Sequence, residues 1–129
     1  MASRTTVDDL LREARARIDR LEPQQAEREI RAGALLIDTR CEGDRRREGR
    51  VAGAVHIPRT VLEWRADPAS DASDERIARL DARLILMCND GYSSSLAAAN
   101  LSRMGFGRVA DLMGGYRAWV KAGLPVDND

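Results

Sequence analysis

Short apolar runs alternate with amphipathic segments along most of the chain. Apolar runs that end in a polar residue or a proline are typical of short buried strands, and they occur at residues 34–38, 54–57, 83–87 and 108–111. Helical spacing of apolar residues, with suitable start and stop residues, predicts helices at about 7–19, 23–31, 60–65, 74–80, 93–104 and from 115 onward. Strands that alternate with helices predict an α/β fold, with a small, mostly parallel sheet flanked by helices.

One segment between the predicted strands has no apolar pattern. Residues 42–50 are all charged or glycine, which indicates a solvated loop or a short helix at the surface.

The composition narrows the function classes. With 129 residues the chain suits one domain, and its 21 basic and 21 acidic residues cancel, so net charge predicts neither a nucleic-acid nor a membrane partner. No stretch approaches membrane-spanning length, and the N-terminus has no apolar leader. Two cysteines and one histidine argue against a disulfide framework and a structural zinc site. We therefore expect a cytoplasmic protein without a bound metal.

The segment with most chemical content runs from residue 84 to 99. Four apolar residues end at Cys88, a short polar loop with one glycine follows, and a serine-rich helix start comes next. Loop N–H groups and a helix N-terminus attract anions and favour the thiolate, so Cys88 is the predicted nucleophile. The loop residues predicted to contact the substrate are Asn89, Asp90, Gly91, Tyr92, Ser93 and Ser94. For the two serines simple helix capping is the alternative, and for Tyr92 an exposed position without a role.

A second polar strand end, Asp38-Thr39-Arg40-Cys41, is expected near the first. Ligands bind open parallel sheets at the carboxyl ends of strands, so both ends should meet at one pocket. Asp38 and Arg40 would support this pocket through hydrogen bonds. Cys41 is a candidate resolving thiol for Cys88, with an ordinary cysteine at a strand exit as the alternative.

Two arginines follow the predicted strand at 54–57. Arg59 and Arg65 are candidate substrate-binding residues, because they would bring positive charge to the rim of the same pocket. The alternative is that both are solvated surface residues.

Several motifs, in this order, resemble the rhodanese (thiosulfate sulfurtransferase) homology domain in its single-domain form. The matching segments are Leu36–Arg40, Gly49–Pro58, Cys88–Ser94 and Leu112–Val126. The last of these contains the Gly-Gly, Trp and Pro-Val of the family pattern. The resemblance implies a rhodanese-like three-layer fold. It divides the chain into an N-terminal helical extension, residues 1–20, packed on a rhodanese-like domain, residues 21–129.

The resemblance also implies a chemistry. Cys88 would take sulfur from a small sulfur donor as a persulfide and pass it to a thiol or another nucleophile, without a cofactor or metal. A protein acceptor is not identified. The alternatives are a catalytically weak binding or redox-sensing module and, less favoured, a phosphatase or arsenate reductase. Loops of those enzymes are generally longer and end in an arginine, whereas position 94 is a serine.

The loop departs from the family pattern at the arginine position. Ser93 stands there, and Asp90 adds a negative charge to the loop. Loss of a guanidinium removes a charge-assisted contact worth roughly 1.5–3 kcal/mol. Thiosulfate, a small dianion, is therefore expected to be a poorer donor here. Arg50 stands where the family usually has a histidine, and we interpret this change as structural.

Overall fold

The central element is a parallel sheet of five strands. The computed structural model describes residues 3–127. The strand order is β1-β5-β4-β2-β3, and every neighbouring pair is parallel. The strands are β1 (Asp19–Leu21), β2 (Leu35–Asp38), β3 (Val55–His56), β4 (Leu84–Met87) and β5 (Val109–Leu112). This arrangement confirms the predicted α/β class with its parallel sheet.

Helices cover both faces of the sheet. They are α1 (Val7–Arg15), α2 (Pro23–Arg31), α3 (Glu42–Glu48), α4 (Leu62–Ala66), α5 (Ser93–Arg103) and α6 (Gly115–Lys121), with a 3₁₀ turn at Arg59–Val61 before α4. Successive residues of β4 enter two different apolar clusters: Leu84 and Leu86 pack with Leu101 of α5, and Ile85 packs with Trp119 of α6. Because strand side chains alternate between faces, these clusters define three layers.

The charged segment at 42–50 forms the short helix α3, one of its two predicted states. Residues 74–80 do not form the predicted helix. They form turns in which the N–H groups of Ile77 and Ala78 both donate to the carbonyl of Asp74. Ile77 is completely buried within these turns. Its burial explains why an apolar residue stands at this position although the segment is not a helix.

The N-terminal segment differs from the sequence prediction at its end. Helix α1 begins at a capping box between Thr6 and Asp9 and ends at Arg15, not at residue 19. The residues after it form the edge strand β1 against β5. This strand has three residues, two of them charged, so no apolar run marks it.

Helix α1 packs against α5, and the predicted boundary between residues 20 and 21 falls within β1. Residues 1–2 and 128–129, at the outer ends of the two predicted segments, lie outside the described residues. Of the helices in residues 3–127, none is long and apolar enough to cross a membrane.

Candidate active site

The carboxyl ends of β2 and β4 lie side by side. Asp38 and Met87 are paired in register, and the backbone N–H and hydroxyl of Thr39 both donate to the carbonyl of Met87, at 2.9 and 2.8 Å. The segment after β2 is thereby held beside Cys88, the first residue after β4.

Cys88 is buried at the start of its loop and is surrounded by hydrogen-bond donors. The backbone N–H groups of Gly91 and Ser94 point at its Sγ, at 3.1 and 3.4 Å, and the Ser94 hydroxyl oxygen lies 3.3 Å from it. Burial raises the pKa of the Cys88 thiol, but hydrogen bonds from the hydroxyls of Ser94 and Ser93 and from the two N–H groups outweigh it, so the net pKa is lowered. The loop therefore stabilises the thiolate, as a nucleophile requires.

A buried carboxylate lies behind this loop. Asp111 of β5 is fully buried, and its Oδ2 is 3.2 Å from the Ser94 hydroxyl and 2.7 Å from that of Ser95. Arg20 of β1 donates to it through Nε and Nη2, at 2.9 and 3.2 Å. Ser94, which contacts the Cys88 sulfur, is therefore held in turn by the ion pair of Asp111 and Arg20.

Two guanidinium groups hold the loop by its backbone. Arg15 and Arg20 both donate to the carbonyl of Gly91, at 3.0 and 3.1 Å. Arg15 also donates to Ser95 and lies over the ring of Tyr92, 5.7 Å from its centroid. These cations position the loop rather than line the cavity in front of the sulfur.

Close contact with the start of α6 fixes the other side of the loop. The N–H groups of Tyr116 and Arg117 donate to the carbonyls of Cys88 and Asn89, at 2.8 and 3.2 Å. Gly115 has φ +66°, and a Cβ there would lie 2.5 Å from the Cys88 carbonyl oxygen. Glycine is required here, both for the left-handed backbone and for the close approach. These loop carbonyls bind α6 while loop N–H groups face the thiol.

A cavity of about 320 Å³ opens at Cys88. Its lining consists of Thr39, Arg40, Cys41, Asp44, Cys88, Asn89, Asp90, Tyr92 and Ser93. The structure thus brings together most of the predicted site residues, including both cysteines. Gly91 and Ser94 contact the sulfur from behind the cavity, and Asp38 is completely buried beneath it.

Charges around the cavity are paired. Arg40, the one basic residue in the described lining, donates to Asp38 and to the carbonyl of Gly49, and its guanidinium stacks on the Tyr116 ring at 3.9 Å. Asp90 pairs with Arg117 at 2.8 Å, so its negative charge is compensated, contrary to the expectation of an acidic loop.

The two residues that bridge the cavity walls are Asn89 and Asp44. The Asn89 amide donates to the Asp44 carboxylate at 2.9 Å. Hydrogen bonds from Asn89 and Cys41 lower the pKa of Asp44. Cys41 is exposed to solvent at the start of α3.

Arg59 and Arg65 do not lie in the cavity lining. Arg59 forms two hydrogen bonds with Glu63, one helical turn on, at 2.9 and 3.0 Å. Arg65 is exposed and donates to the carbonyl of Ala72. Local acceptors hold both side chains, and positive charge near the loop comes from Arg15, Arg20 and Arg117 instead.

Sequence reasoning missed these three arginines and Asp111. Asp111 ends an apolar run, as Asp38 does, and that position could have indicated it. The arginines stand in no motif, and of these Arg15 lies before and Arg20 within the edge strand β1, which the apolar pattern did not mark. Within residues 3–127, no three or more His, Cys, Asp or Glu side chains form a group that could hold a metal ion.

Comparison with known proteins adds an independent line of evidence. Residues 22–122 match the family described as Rhodanese-like domain. The thiosulfate sulfurtransferase GlpE of Haemophilus influenzae is 31% identical over 106 residues, which cover 81% of this chain and 90% of that protein. A rhodanese-related protein of Thermoplasma volcanium has a similar fold, with TM-score 0.70 at 22% identity over 86% of this chain and 99% of that one.

Another solved structure resembles the chain over nearly its whole length. It is a protein of unknown function from Rhodopseudomonas palustris, described as a possible tyrosine phosphatase. The two share 28% identity with TM-score 0.89, and the match covers 98% of each chain.

Proposed function

Since the chain belongs to the rhodanese-like domain family, we propose that it is a sulfurtransferase that carries sulfane sulfur as a persulfide on Cys88. The observation that carries the proposal is the environment of the Cys88 sulfur. Two backbone N–H groups and a serine hydroxyl surround it at the base of an open cavity. These donors favour the thiolate, and we expect the same loop to stabilise the negative persulfide that follows.

In the first half-reaction the Cys88 thiolate attacks the outer, sulfane sulfur of the donor. A bond forms between this sulfur and Sγ, and the bond to the rest of the donor breaks with its electron pair. With thiosulfate, the products are the Cys88 persulfide anion and sulfite. In the second half-reaction a thiolate or cyanide attacks the outer sulfur of the persulfide, and the electron pair of the broken S–S bond returns to Sγ.

The cavity residues have different roles in this cycle. Asn89, Asp90, Tyr92 and Ser93 line the cavity and would contact donor and acceptor, whereas Gly91 and Ser94 hold the sulfur. Asp38 fixes the guanidinium of Arg40 through two hydrogen bonds, at 3.1 and 2.9 Å, and thereby supports the cavity wall.

Phosphatase activity is the second candidate, because the Rhodopseudomonas palustris neighbour is described in those terms. Phosphoryl transfer needs fixed cations on the three equatorial oxygens. The described cavity lining contains one guanidinium, and it is bound to Asp38 and Gly49. The charge distribution therefore favours sulfur transfer.

A steady-state assay separates the two functions. We expect wild-type protein to transfer sulfur from thiosulfate or glutathione persulfide to cyanide, Cys88→Ser to show only the background rate, and Cys41→Ser to retain transfer. Aryl phosphate should not be hydrolysed. Phosphate release that depends on Cys88, with no sulfur transfer from either donor, would overturn the proposal.

For Cys41 we propose the role of a resolving thiol, because it lines the same cavity as Cys88. Peroxide would oxidise Cys88 to a sulfenic acid, and the Cys41 thiol would displace water to form a disulfide. Peptide mass spectrometry of peroxide-treated protein should then show a Cys41–Cys88 link. Oxidation of Cys88 without that link would contradict the role.

A further inference from the structure

A second, mostly apolar groove lies next to the Cys88 cavity. Its volume is about 380 Å³, and its lining consists of Val7, Asp8, Leu11, Tyr92, Ser93 and Leu96. Tyr92 and Ser93 also line the Cys88 cavity, so the two spaces share a wall. The two spaces are therefore adjacent, and a molecule with its sulfur at Cys88 would enter the groove by extending past these two residues.

The groove is built by α1, by Tyr92 of the loop after Cys88, and by the first turn of α5. Val7 of α1 is 62% exposed and Tyr92 is 60% exposed, so the apolar side chains of this lining are accessible to a ligand. Helix α1 lies outside residues 22–122, the part of the chain that matches the family. This wall is therefore an addition to the matched domain, placed at the opening of its active site.

The two spaces differ in chemical character. The Cys88 cavity has mixed polar and apolar walls with paired charges, whereas the lining of the groove is apolar apart from Asp8 and Ser93. An elongated ligand with a sulfur at one end and an apolar arm at the other matches this pair of environments. A small dianion such as thiosulfate has no arm that could occupy the groove. A carboxylate at the end of an arm would be repelled by the carboxylate of Asp8 in the groove lining.

We propose that the groove binds the apolar arm of an organic thiol or its persulfide, and that this arm determines the preferred sulfur substrate. The inference rests on the proposed sulfurtransferase function. In the acceptor direction the organic thiolate attacks the outer sulfur of the Cys88 persulfide. The S–S bond breaks, the electron pair returns to Cys88, and the organic persulfide leaves. The donor direction is the reverse of this step.

The test uses protein that has been loaded with sulfur and freed of donor. Loss of the Cys88 persulfide is followed by intact mass in single turnovers with ethanethiol, butanethiol or hexanethiol, and with cyanide as an acceptor without an arm. A fully buried methylene improves transfer to an apolar site about fourfold. Because the groove is open, we expect the second-order rate constant to rise at least about tenfold from ethanethiol to hexanethiol.

The matched variants are Val7→Asp and Leu10→Asp, two exposed positions on the same helix. Val7 lines the groove, whereas Leu10 faces a different surface depression. We expect Val7→Asp to reduce the hexanethiol-to-ethanethiol ratio to about threefold or less and Leu10→Asp to keep it. The acid at position 7 also lies in the first turn of α1, where negative charge suits the helix, so folding should be preserved.

The cyanide reaction distinguishes the failure of this inference from failure of the proposed function. If all variants react with cyanide but the rate does not depend on chain length, the groove inference is wrong and sulfur transfer stands. If no persulfide can be loaded, the sulfurtransferase proposal itself fails. A dimer that Val7→Asp converts to monomer would also overturn the inference, because the groove would then be an interface between copies.

Discussion

The hydroxyl of Ser94 lies between two acceptors, the Cys88 sulfur at 3.3 Å and the Asp111 carboxylate at 3.2 Å. Its one proton can serve only one acceptor at a time. Beside a neutral thiol, the S–H donates to the serine oxygen and the hydroxyl donates to Asp111. When Cys88 ionises, the hydroxyl turns toward the thiolate, and Asp111 keeps its bonds to Ser95 and Arg20.

Ser94→Ala should therefore raise the pKa of Cys88. A hydrogen bond to a charged group contributes about 1.5–3 kcal/mol, or roughly one to two pKa units. Because the wild-type pKa is lowered, the midpoint of the pH dependence of iodoacetamide alkylation should move to higher pH in the variant. Ser102→Ala, on the same helix, is the control and should leave this midpoint unchanged. If Ser94→Ala does not shift the midpoint either, Ser94 does not have this role.

The parts of the site that sequence could predict are those adjacent along the chain. Cys88, its loop and Ser94 form one segment, so a strand, loop and helix pattern predicts that they lie together. Arg20 and Asp111 are 91 positions apart, and no local pattern encodes their contact. Arg59 was expected near the substrate because of its place after β3, but Glu63 one turn away provides a nearer partner.

At the scale of elements, the loop of residues 88–92 depends on its contact with α6. Two N–H groups at the start of α6 bind loop carbonyls, and Gly115 lets the two backbones approach. Loop shape and helix position are therefore coupled through backbone atoms, which cannot move aside as a flexible side chain could.

Gly115→Ala should both destabilise the protein and reduce sulfur transfer. For a residue with a Cβ, the left-handed backbone at position 115 alone lowers the free energy of unfolding by about 1–2 kcal/mol. The added methyl group would also overlap the backbone of Cys88 and Asn89. Urea unfolding and the cyanide assay measure the two effects. Gly107→Ala is the control, since a Cβ there meets no atom within 4 Å. Equal stability and activity for both variants would contradict the coupling.

The elements differ in how well their sequences predict them. Helix α2 was predicted with its observed bounds, because Pro23 and Gly33 mark its ends. Strand β1 was missed, since an edge strand of three residues depends on its partner β5 rather than on an apolar run. The segment at 74–80 has an apolar residue and a capping aspartate, but its hydrogen bonds form turns.

At the scale of the whole molecule, positive and negative charges are balanced and locally paired. The chain has 21 basic and 21 acidic residues, and Arg117 and Arg40 beside the cavity are both bound to carboxylates. No strong positive field should therefore draw a dianion to Cys88. This is why thiosulfate is expected to be a slower donor than an organic persulfide.

Ser93→Arg should reverse part of this preference. Ser93 is exposed in the cavity lining, so a guanidinium there would reach a bound dianion without being buried. One charge-assisted contact of about 1.5–3 kcal/mol corresponds to a gain of about 10- to 100-fold in kcat/KM for thiosulfate. The rate with glutathione persulfide should change less. Equal gains for both donors, or none for thiosulfate, would show that charge does not limit the reaction.

Fold class was predictable for the whole chain because alternating strands and helices admit few arrangements. The charge pairing at the loop was not, because Asp90 and Arg117 come from distant segments of the chain. The composition gives the net charge of the chain, but it does not show that Asp90 in the loop is paired with Arg117.

The central claim is that Cys88 holds the transferred sulfur. The most direct measurement is intact and peptide mass spectrometry of protein treated with glutathione persulfide, before and after addition of a thiol acceptor. The account predicts a one-sulfur adduct on the Cys88 peptide that is absent in Cys88→Ser and disappears when the acceptor is added. An adduct that persists in Cys88→Ser, or one that no acceptor removes, would contradict it.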